Sequence, residues 1–369
     1  MDFTFSEEQD AVRDLATQVF EGHATPERVK EVERSEERVD RELWRALADA
    51  GLLAIAVPEE HGGSGLGLVE LCLLLEQQGR RVAPVPLWPT LVLGALPIAE
   101  LGSREQQQRW LAGVASGDVI LTAALSEPGA NDPLRPRTTA TRESDGWRLD
   151  GYKPSVPAGH VADRVLVPAT TGDGELGVFL VDPAAPGVER TIAATTDRAR
   201  VAHLELAGAP AEQLGAGSLG ATAWMLDRAL VGLCAMQVGV AEGALRMAAD
   251  YTSERQQFGR PLSTFQGVAL KAADAYIDTE AMRVTLWQAA WRLTAGLDAM
   301  REVMVAKWWA AEGGQRVVHI TQHLHGGMGA DVDYPVHRYF LWGKQIEDTL
   351  GGASAQLARL GRALAEAPA

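Results

Sequence analysis

The segment ERQQFGRPLSTFQ, Glu254 to Gln266, places an arginine, a Phe-Gly turn and a second phenylalanine in one short run. Arg255, at the end of a helical stretch, offers a planar fork suited to a pyrophosphate, and Phe258 and Phe265 offer faces for a flat ring. The same residues also read as a polar helix end followed by a turn. A second run, QHLHGGMGADVDYPVHRYFLWGKQ from Gln322 to Gln345, contains Gly326 and Gly327, where a backbone without Cβ can approach a ligand closely. His323 and His325 stand at i and i+2, share no helix face and lack a third ligand, so no metal site is expected. A third run, QIEDTLGGASAQLARLGRAL from Gln345 to Leu364, ends one helix at EDTL, turns on a Gly-Gly pair and resumes as an amphipathic helix. Such a turn presents one side chain to a ligand. Here that side chain is Leu350, which has no acid–base chemistry.

Those segments need a scaffold to hold them. Residues 1–117 read as helices. SEEQDAVRDLATQVF opens with Ser6 as N-cap and acidic residues in its first turn, which suits the helix dipole. RELWRALADAG repeats apolar positions at Leu43, Trp44 and Leu47 and stops at Gly51. Over 118–210 the texture changes to short alternating or β-branched runs, GWRLDGY, RVLVPA, LGVFLVD and VAHLELAG, separated by Gly, Pro and Asp. Beyond 211 the helical period returns, with Leu226, Leu230, Leu233 and Val240 on one stripe of a helix roughly 35 residues long, far above the average. The expected fold class is α+β: an N-terminal helical domain (1–117), a middle antiparallel β-domain (118–210) and a C-terminal four-helix bundle (211–369).

Composition sets outer bounds. A chain of 369 residues with 46% hydrophobic and 22% charged content is that of a multi-domain globular protein. A formal charge of −15 argues against nucleic acid or an anionic membrane as the main partner. The two cysteines, Cys72 and Cys234, lie in apolar helix-like runs and read as buried free thiols in a reducing compartment. The N-terminus MDFTFSEEQD is acidic and has no apolar core, so a cytoplasmic location is expected. Val82 to Ala99 is apolar, but Pro84, Pro86, Pro89 and Pro97 would interrupt a spanning helix; buried loop and short helix is the expectation there.

Taken together, MDFTFSEEQ, the loop LSEPGAND (Leu125 to Asp132), RQQFGRPLSTFQ and QHLHGGMG resemble the acyl-CoA dehydrogenase family over almost the whole chain. The resemblance implies the same helical, β and bundle architecture, usually in a tetramer. It also implies FAD and an acyl-CoA substrate. A glutamate removes the α-proton of the thioester while the β-hydrogen leaves as hydride to the flavin. Hydrogen bonds steady the enolate oxygen, and a dry pocket raises the pKa of the base.

Position by position, the chain departs from that pattern. The family glutamate lies six residues after a lysine, which from Lys344 falls on Leu350. A minority of the family carry the base on the long bundle helix, at the position of Ala229, and the arginine that usually follows is Leu230. The Trp-Ile-Thr flavin cover corresponds to GYKPSVPAGHVAD, which puts Ser155 at the tryptophan and Pro157 at the threonine. Proline offers neither hydroxyl nor N–H. Ser126 keeps a hydroxyl in the flavin loop. No catalytic residue is therefore expected.

What this chain keeps is what a subunit of this family lends to its neighbour's FAD. The resemblance assigns cofactor contacts to Arg255, Gln256, Phe258, Phe265, Gln266, His323, Leu324, His325, Gly326 and Gly327, with Ser126 beside them. The leading reading is a base-lacking subunit of an α2β2 acyl-CoA dehydrogenase, similar to those acting on steroid side-chain CoA esters. Its partner would be a catalytic subunit and its electron acceptor an electron-transferring flavoprotein. Two alternatives stand beside it: a homotetramer with a displaced base at Glu347, and a non-redox acyl-CoA-binding scaffold.

Overall fold

The computed structural model describes residues 4–129, 132–144, 146–217 and 220–366. The opening Met1 to Phe3, and Ala130 and Asn131 of the expected flavin loop, lie outside the described residues. The chain folds into two compact units. One comprises Met1–Val19, Lys30–Leu71 and Pro84–Ala229; the other comprises Phe20–Val29, Cys72–Ala83 and Leu230–Ala369.

The N-terminal helices are α1 (Glu7–His23), α2 (Pro26–Arg34), α3 (Arg41–Asp49), α4 (Leu68–Arg81), α5 (Leu96–Leu101) and α6 (Arg104–Ala115). Ser6 caps α1 as its side-chain type predicts. Its Oγ accepts from Gln9 N at 3.2 Å while Gln9 Oε1 accepts from Ser6 N at 3.0 Å, which satisfies two otherwise free donors. Gly51 follows α3 in the left-handed region at φ 73. The proline-rich stretch is more helical than expected. A π-helical turn, Trp88–Ala95, runs directly into α5. Pro84 and Pro86 precede these pieces, while Pro89 and Pro97 sit at their first positions, where a missing N–H costs least, and the widened turn absorbs the second one.

The first unit also holds a seven-stranded sheet: β1 (Leu121–Ala123), β2 (Thr139–Glu143), β3 (Gly146–Pro157), β4 (Arg164–Thr171), β5 (Leu176–Val181), β6 (Val188–Ala194) and β7 (Arg200–Gln213). Most neighbours are antiparallel, as the short alternating runs imply. The pairs β1–β4 and β2–β4 are parallel. Because β4 pairs both β2 and β5, the order β4-β2-β3-β7-β5 closes on itself, which removes most free edges and buries Leu149, Val167 and Phe179 inside. A register shift between β3 and β7 falls between Lys153 and Val156, and Ser155 stands in it at φ 51.

The second unit is a helical bundle. It contains most of α7 (Ala221–Glu254), then α8 (Gln266–Thr294), α9 (Met300–Leu324), α10 (Val336–Asp348) and α11 (Ala353–Glu366), with the end of α4. Helix α9 packs on α8, α10 and α11. The end of α4 crosses α7 at glycines: a Cβ on Gly239 would stand 2.0 Å from Glu76 O, and one on Gly79 would stand 2.1 Å from Met236 O. Beside this crossing, Arg283 on α8 bonds Glu76 at 2.7 Å and Glu242 at 2.8 Å, and Arg80 bonds Glu242 at 2.7 Å. Four charges on three helices thus share one partly buried network. Among the described residues α7 alone is long and apolar enough to cross a membrane, and 72% of its apolar window is buried inside the protein, as in the core helix of a bundle.

Candidate cofactor site

The first expected segment begins where α7 ends. Arg255 N donates to Tyr251 O at 2.9 Å, the last helical bond, and a two-stranded hairpin follows, β8 (Gln256–Gln257) with β9 (Arg260–Pro261). Its turn is Phe258–Gly259, both left-handed at φ 54 and φ 76. A primed turn of that kind suits Gly but strains Phe, whose ring is 92% exposed. Strain and exposure together are costs that a ligand or partner would offset. Phe265 meets Phe258 edge-on at 6.2 Å, and the Arg260 guanidinium lies 4.1 Å over the Phe265 ring. Leu262 N donates back to Arg255 O at 2.8 Å, which ties the hairpin to the helix end. The Arg255 side chain is exposed and makes no ion pair among the described residues. Gln266 opens α8, whose N-cap residue, Phe265, makes no side-chain hydrogen bond to the helix end.

The second segment lies at the end of α9. Gly326 has φ 58, and an added Cβ on Gly326 or Gly327 would meet nothing within 4 Å, so the backbone here faces open space. Gly329 differs: its Cβ would stand 2.4 Å from Gln322 O, which makes that glycine a packing requirement. A cleft of about 320 Å³ is lined by His319, Gln322, His323, Gly326, Ala330 and Phe340. His323 is exposed at its wall, whereas Leu324 and His325 are buried at 8% and 2% exposure. The His325 ring stacks on Tyr251 at 4.6 Å, and this contact brings the end of α7 to the end of α9. Arg255, the hairpin and the Gly326–Gly327 turn therefore belong to one neighbourhood. Ser126 lies in the other compact unit.

The positions that the resemblance assigns to reacting groups carry no acid or base side chain. Leu350 holds the turn between α10 and α11 at φ 58. Gln356 Nε2 donates to Leu350 O at 3.2 Å and to Gly351 O at 3.0 Å. Just before the turn, the fully buried Lys307 donates to Ile346 O at 2.7 Å and Glu347 O at 3.0 Å, and burial brings its pKa down to about 8. Ala229 is buried, with its carbonyl accepting from Trp88 Nε1 at 3.0 Å. At the flavin-cover position Ser155 N donates to His203 Nδ1 at 3.3 Å, and Pro157 O accepts from Thr122 Oγ1 at 2.6 Å. The chain's own groups thus use the polar atoms that remain there.

One buried pair joins the stretches LSEPGAND and GYKPSVPAGHVAD, and neither stretch alone announces it. Lys153 Nζ is wholly buried, 2.5 Å from Glu127 Oε1, whose side chain is 3% exposed; Glu127 also accepts from Thr138 Oγ1 at 2.6 Å. Burial works against both charges, yet the bonds from Lys153 and Thr138 leave Glu127 below its ordinary pKa, while burial lowers that of Lys153. A faint signal exists in the strand itself, since Lys153 falls on the same face as the buried Leu149.

Residues 6–118 match the acyl-CoA dehydrogenase N-terminal domain, and residues 219–364 match the acyl-CoA dehydrogenase C-terminal domain. The chain belongs to the acyl-CoA dehydrogenase family. It is 44% identical over 378 aligned positions to acyl-CoA dehydrogenase FadE27 of Mycobacterium tuberculosis, covering all of both chains. Among solved structures it is similar to the Tcur3481-Tcur3483 steroid ACAD G363A variant, at 55% identity and TM-score 0.93 over 98% of each chain. It is also similar to the ChsE4-ChsE5 complex of Mycobacterium tuberculosis, at 44% identity and TM-score 0.94 over the whole of both chains. Acyl-CoA dehydrogenases are FAD-dependent oxidoreductases, and the helical, β and bundle order found here is the family's.

Proposed function

We propose that this chain is the base-lacking subunit of a heteromeric acyl-CoA dehydrogenase, lending its helix-end segments to the FAD seated in a catalytic partner. One contrast carries this reading. The lending surface is complete and displayed, with Arg255, Gln256, Phe258, Gln266, His323, Gly326 and Gly327 exposed and Phe265 partly so. The chain's own seat has Leu350 and Ala229 where a carboxylate would be needed, and Pro157 where an N–H would be needed.

The residues fit half of an FAD site. An exposed guanidinium and an open Gly-Gly backbone suit a diphosphate, and the Phe258–Phe265 pair suits an aromatic face. FAD bound in the partner would accept the hydride. This chain's residues would bind and orient its nucleotide end and shield it from water. Ser126, beside the buried Glu127–Lys153 pair, is kept as a minor contact. His325 and Leu324, being buried, would act from beneath.

The substrate class proposed is a steroid side-chain CoA ester, since a steroid ACAD is among the solved structures this chain resembles. The acceptor proposed is an electron-transferring flavoprotein, and the setting cytoplasmic. Bounds of 1–117, 118–210 and 211–369 for three domains belong to the same proposal. The test is the flavin-to-protein ratio and the dehydrogenase activity of the chain expressed alone and with its genetic neighbour. Flavin and activity only in the pair are expected. A yellow, active protein from this chain alone would overturn the proposal, and a colourless pair would favour a non-redox scaffold.

A further inference from the structure

We propose that His325 is the positioning residue that couples the two halves of the lending surface, keeping the Gly326–Gly327 turn in register with Arg255 while its ring is neutral. This deepens the function proposed above and rests on it.

The geometry fixes the tautomer. His325 Nδ1 lies 2.7 Å from Thr321 O, and a carbonyl only accepts, so Nδ1 carries the hydrogen and Nε2 is left with a bare lone pair. Nε2 is buried and has no partner among the described residues. The ring stacks on Tyr251 at 4.6 Å and meets Tyr334 at 5.2 Å, and the two tyrosines meet each other at 6.2 Å. Tyr251 sits one helical turn before Arg255, and its carbonyl accepts the Arg255 N–H. Gly326 is the next residue after His325. A single ring therefore touches the supports of both segments.

Protonation at Nε2 would place a new donor in a slot that offers no acceptor among the described residues. The groups facing the ring are the phenols of Tyr251 and Tyr334. Asp250 and Glu254 influence Tyr334, but no carboxylate among the described residues contributes to the environment of His325 itself. Burial therefore holds the His325 pKa below its ordinary value. The sign follows: an open or unfolded state binds the proton more readily, so the coupled arrangement is fully stable above pH 6.5 and weakens as the pH falls below it.

The test uses the complex of this chain with its partner and follows FAD release by flavin fluorescence from pH 7.5 to 5.0. Wild-type release is expected to quicken by about tenfold over that range. His325→Phe keeps a stacking ring but neither bonds Thr321 O nor titrates. It should release FAD several-fold faster at pH 7.5, with the added acid dependence gone. Arg255→Ala should be faster at every pH and keep the wild-type slope. A His325→Phe complex with the wild-type slope overturns the inference. If Arg255→Ala leaves FAD release unchanged, the lending function has failed, and the coupling is then read from the chain alone by hydrogen exchange. Acid should expose 255–266 and 322–330 together in wild type but not in His325→Phe; independent opening of the two segments overturns it.

Discussion

Lys344 Nζ lies 2.5 Å from Glu347 Oε2, and the glutamate side chain is 18% exposed. Glu347 stands three residues before Leu350, on nearly the same helix face, and is the candidate for a displaced base. Its ammonium partner occupies one of its oxygens, a poor arrangement for a base that must take a proton from carbon. Glu347→Gln should therefore leave the turnover of the paired enzyme within about twofold of wild type. A loss of about a thousandfold would instead identify Glu347 as the base.

Arg255 is exposed and makes no ion pair among the described residues, so its removal should cost the fold nothing measurable and cost the cofactor a charge-assisted hydrogen bond. Arg255→Ala should weaken FAD binding in the pair by about 10- to 100-fold, corresponding to roughly 1.5–3 kcal/mol. Arg255→Lys should recover part of that, since it keeps the charge and loses the fork. Flavin titration of the apo-complex measures both, and unchanged thermal melting of the isolated chain provides the control.

What could be read from the sequence was what a local run encodes. A helix with a clear apolar stripe, such as α3, follows from its own side-chain period, and β4 and β5 follow from continuous apolar runs; the middle of α7, by contrast with the expected stripe, is buried on every side. Strand β6 does not: its residues are all at least partly exposed, so no alternation marks it, and it exists because β7 supplies a ladder. Parallel pairing of β1 and β2 with β4 depends on distant residues. At the proposed site, Arg255, Phe258 and the glycine pair could be singled out because the chemistry expected of them is carried by residue type. The role of His325 could not, since a buried histidine and a ligand-facing one look alike until the Tyr251 stack and the Thr321 carbonyl are seen. The Lys153–Glu127 pair joins residues from a loop and a strand, and only the closed sheet brings them together.

That pair makes a stability prediction. Glu127→Gln preserves the shape and leaves the Lys153 cation buried without a counter-charge, which should destabilise the chain at pH 7 by about 3–5 kcal/mol. Burial already lowers the proton affinity of Lys153, so the unfolded state binds its proton more tightly and stability rises as the pH increases. The deficit of Glu127→Gln should therefore shrink between pH 7 and pH 10. In wild type, the depressed pKa of Glu127 contributes stability that is present above pH 4.5 and lost as the pH falls through its folded value. Urea unfolding followed by far-UV circular dichroism at three pH values tests both signs.

Leu350 offers the sharpest separation between a missing base and a missing half-site. Its backbone stands at φ 58, held by Gln356 on one side, with Lys307 fixing the helix end that leads into it. A β-branched residue tolerates that conformation less than leucine, so Leu350→Val should destabilise the chain by about 1–2 kcal/mol. Leu350→Glu returns a carboxylate to a turn that is already held in place. If the base were the only lesion, this variant expressed alone would bind flavin and oxidise acyl-CoA. With Ser155 N–H donated to His203 and no N–H at Pro157, it should instead stay colourless and inactive alone. Anaerobic flavin reduction by an acyl-CoA, compared between the variant alone and the variant in the complex, decides between the two.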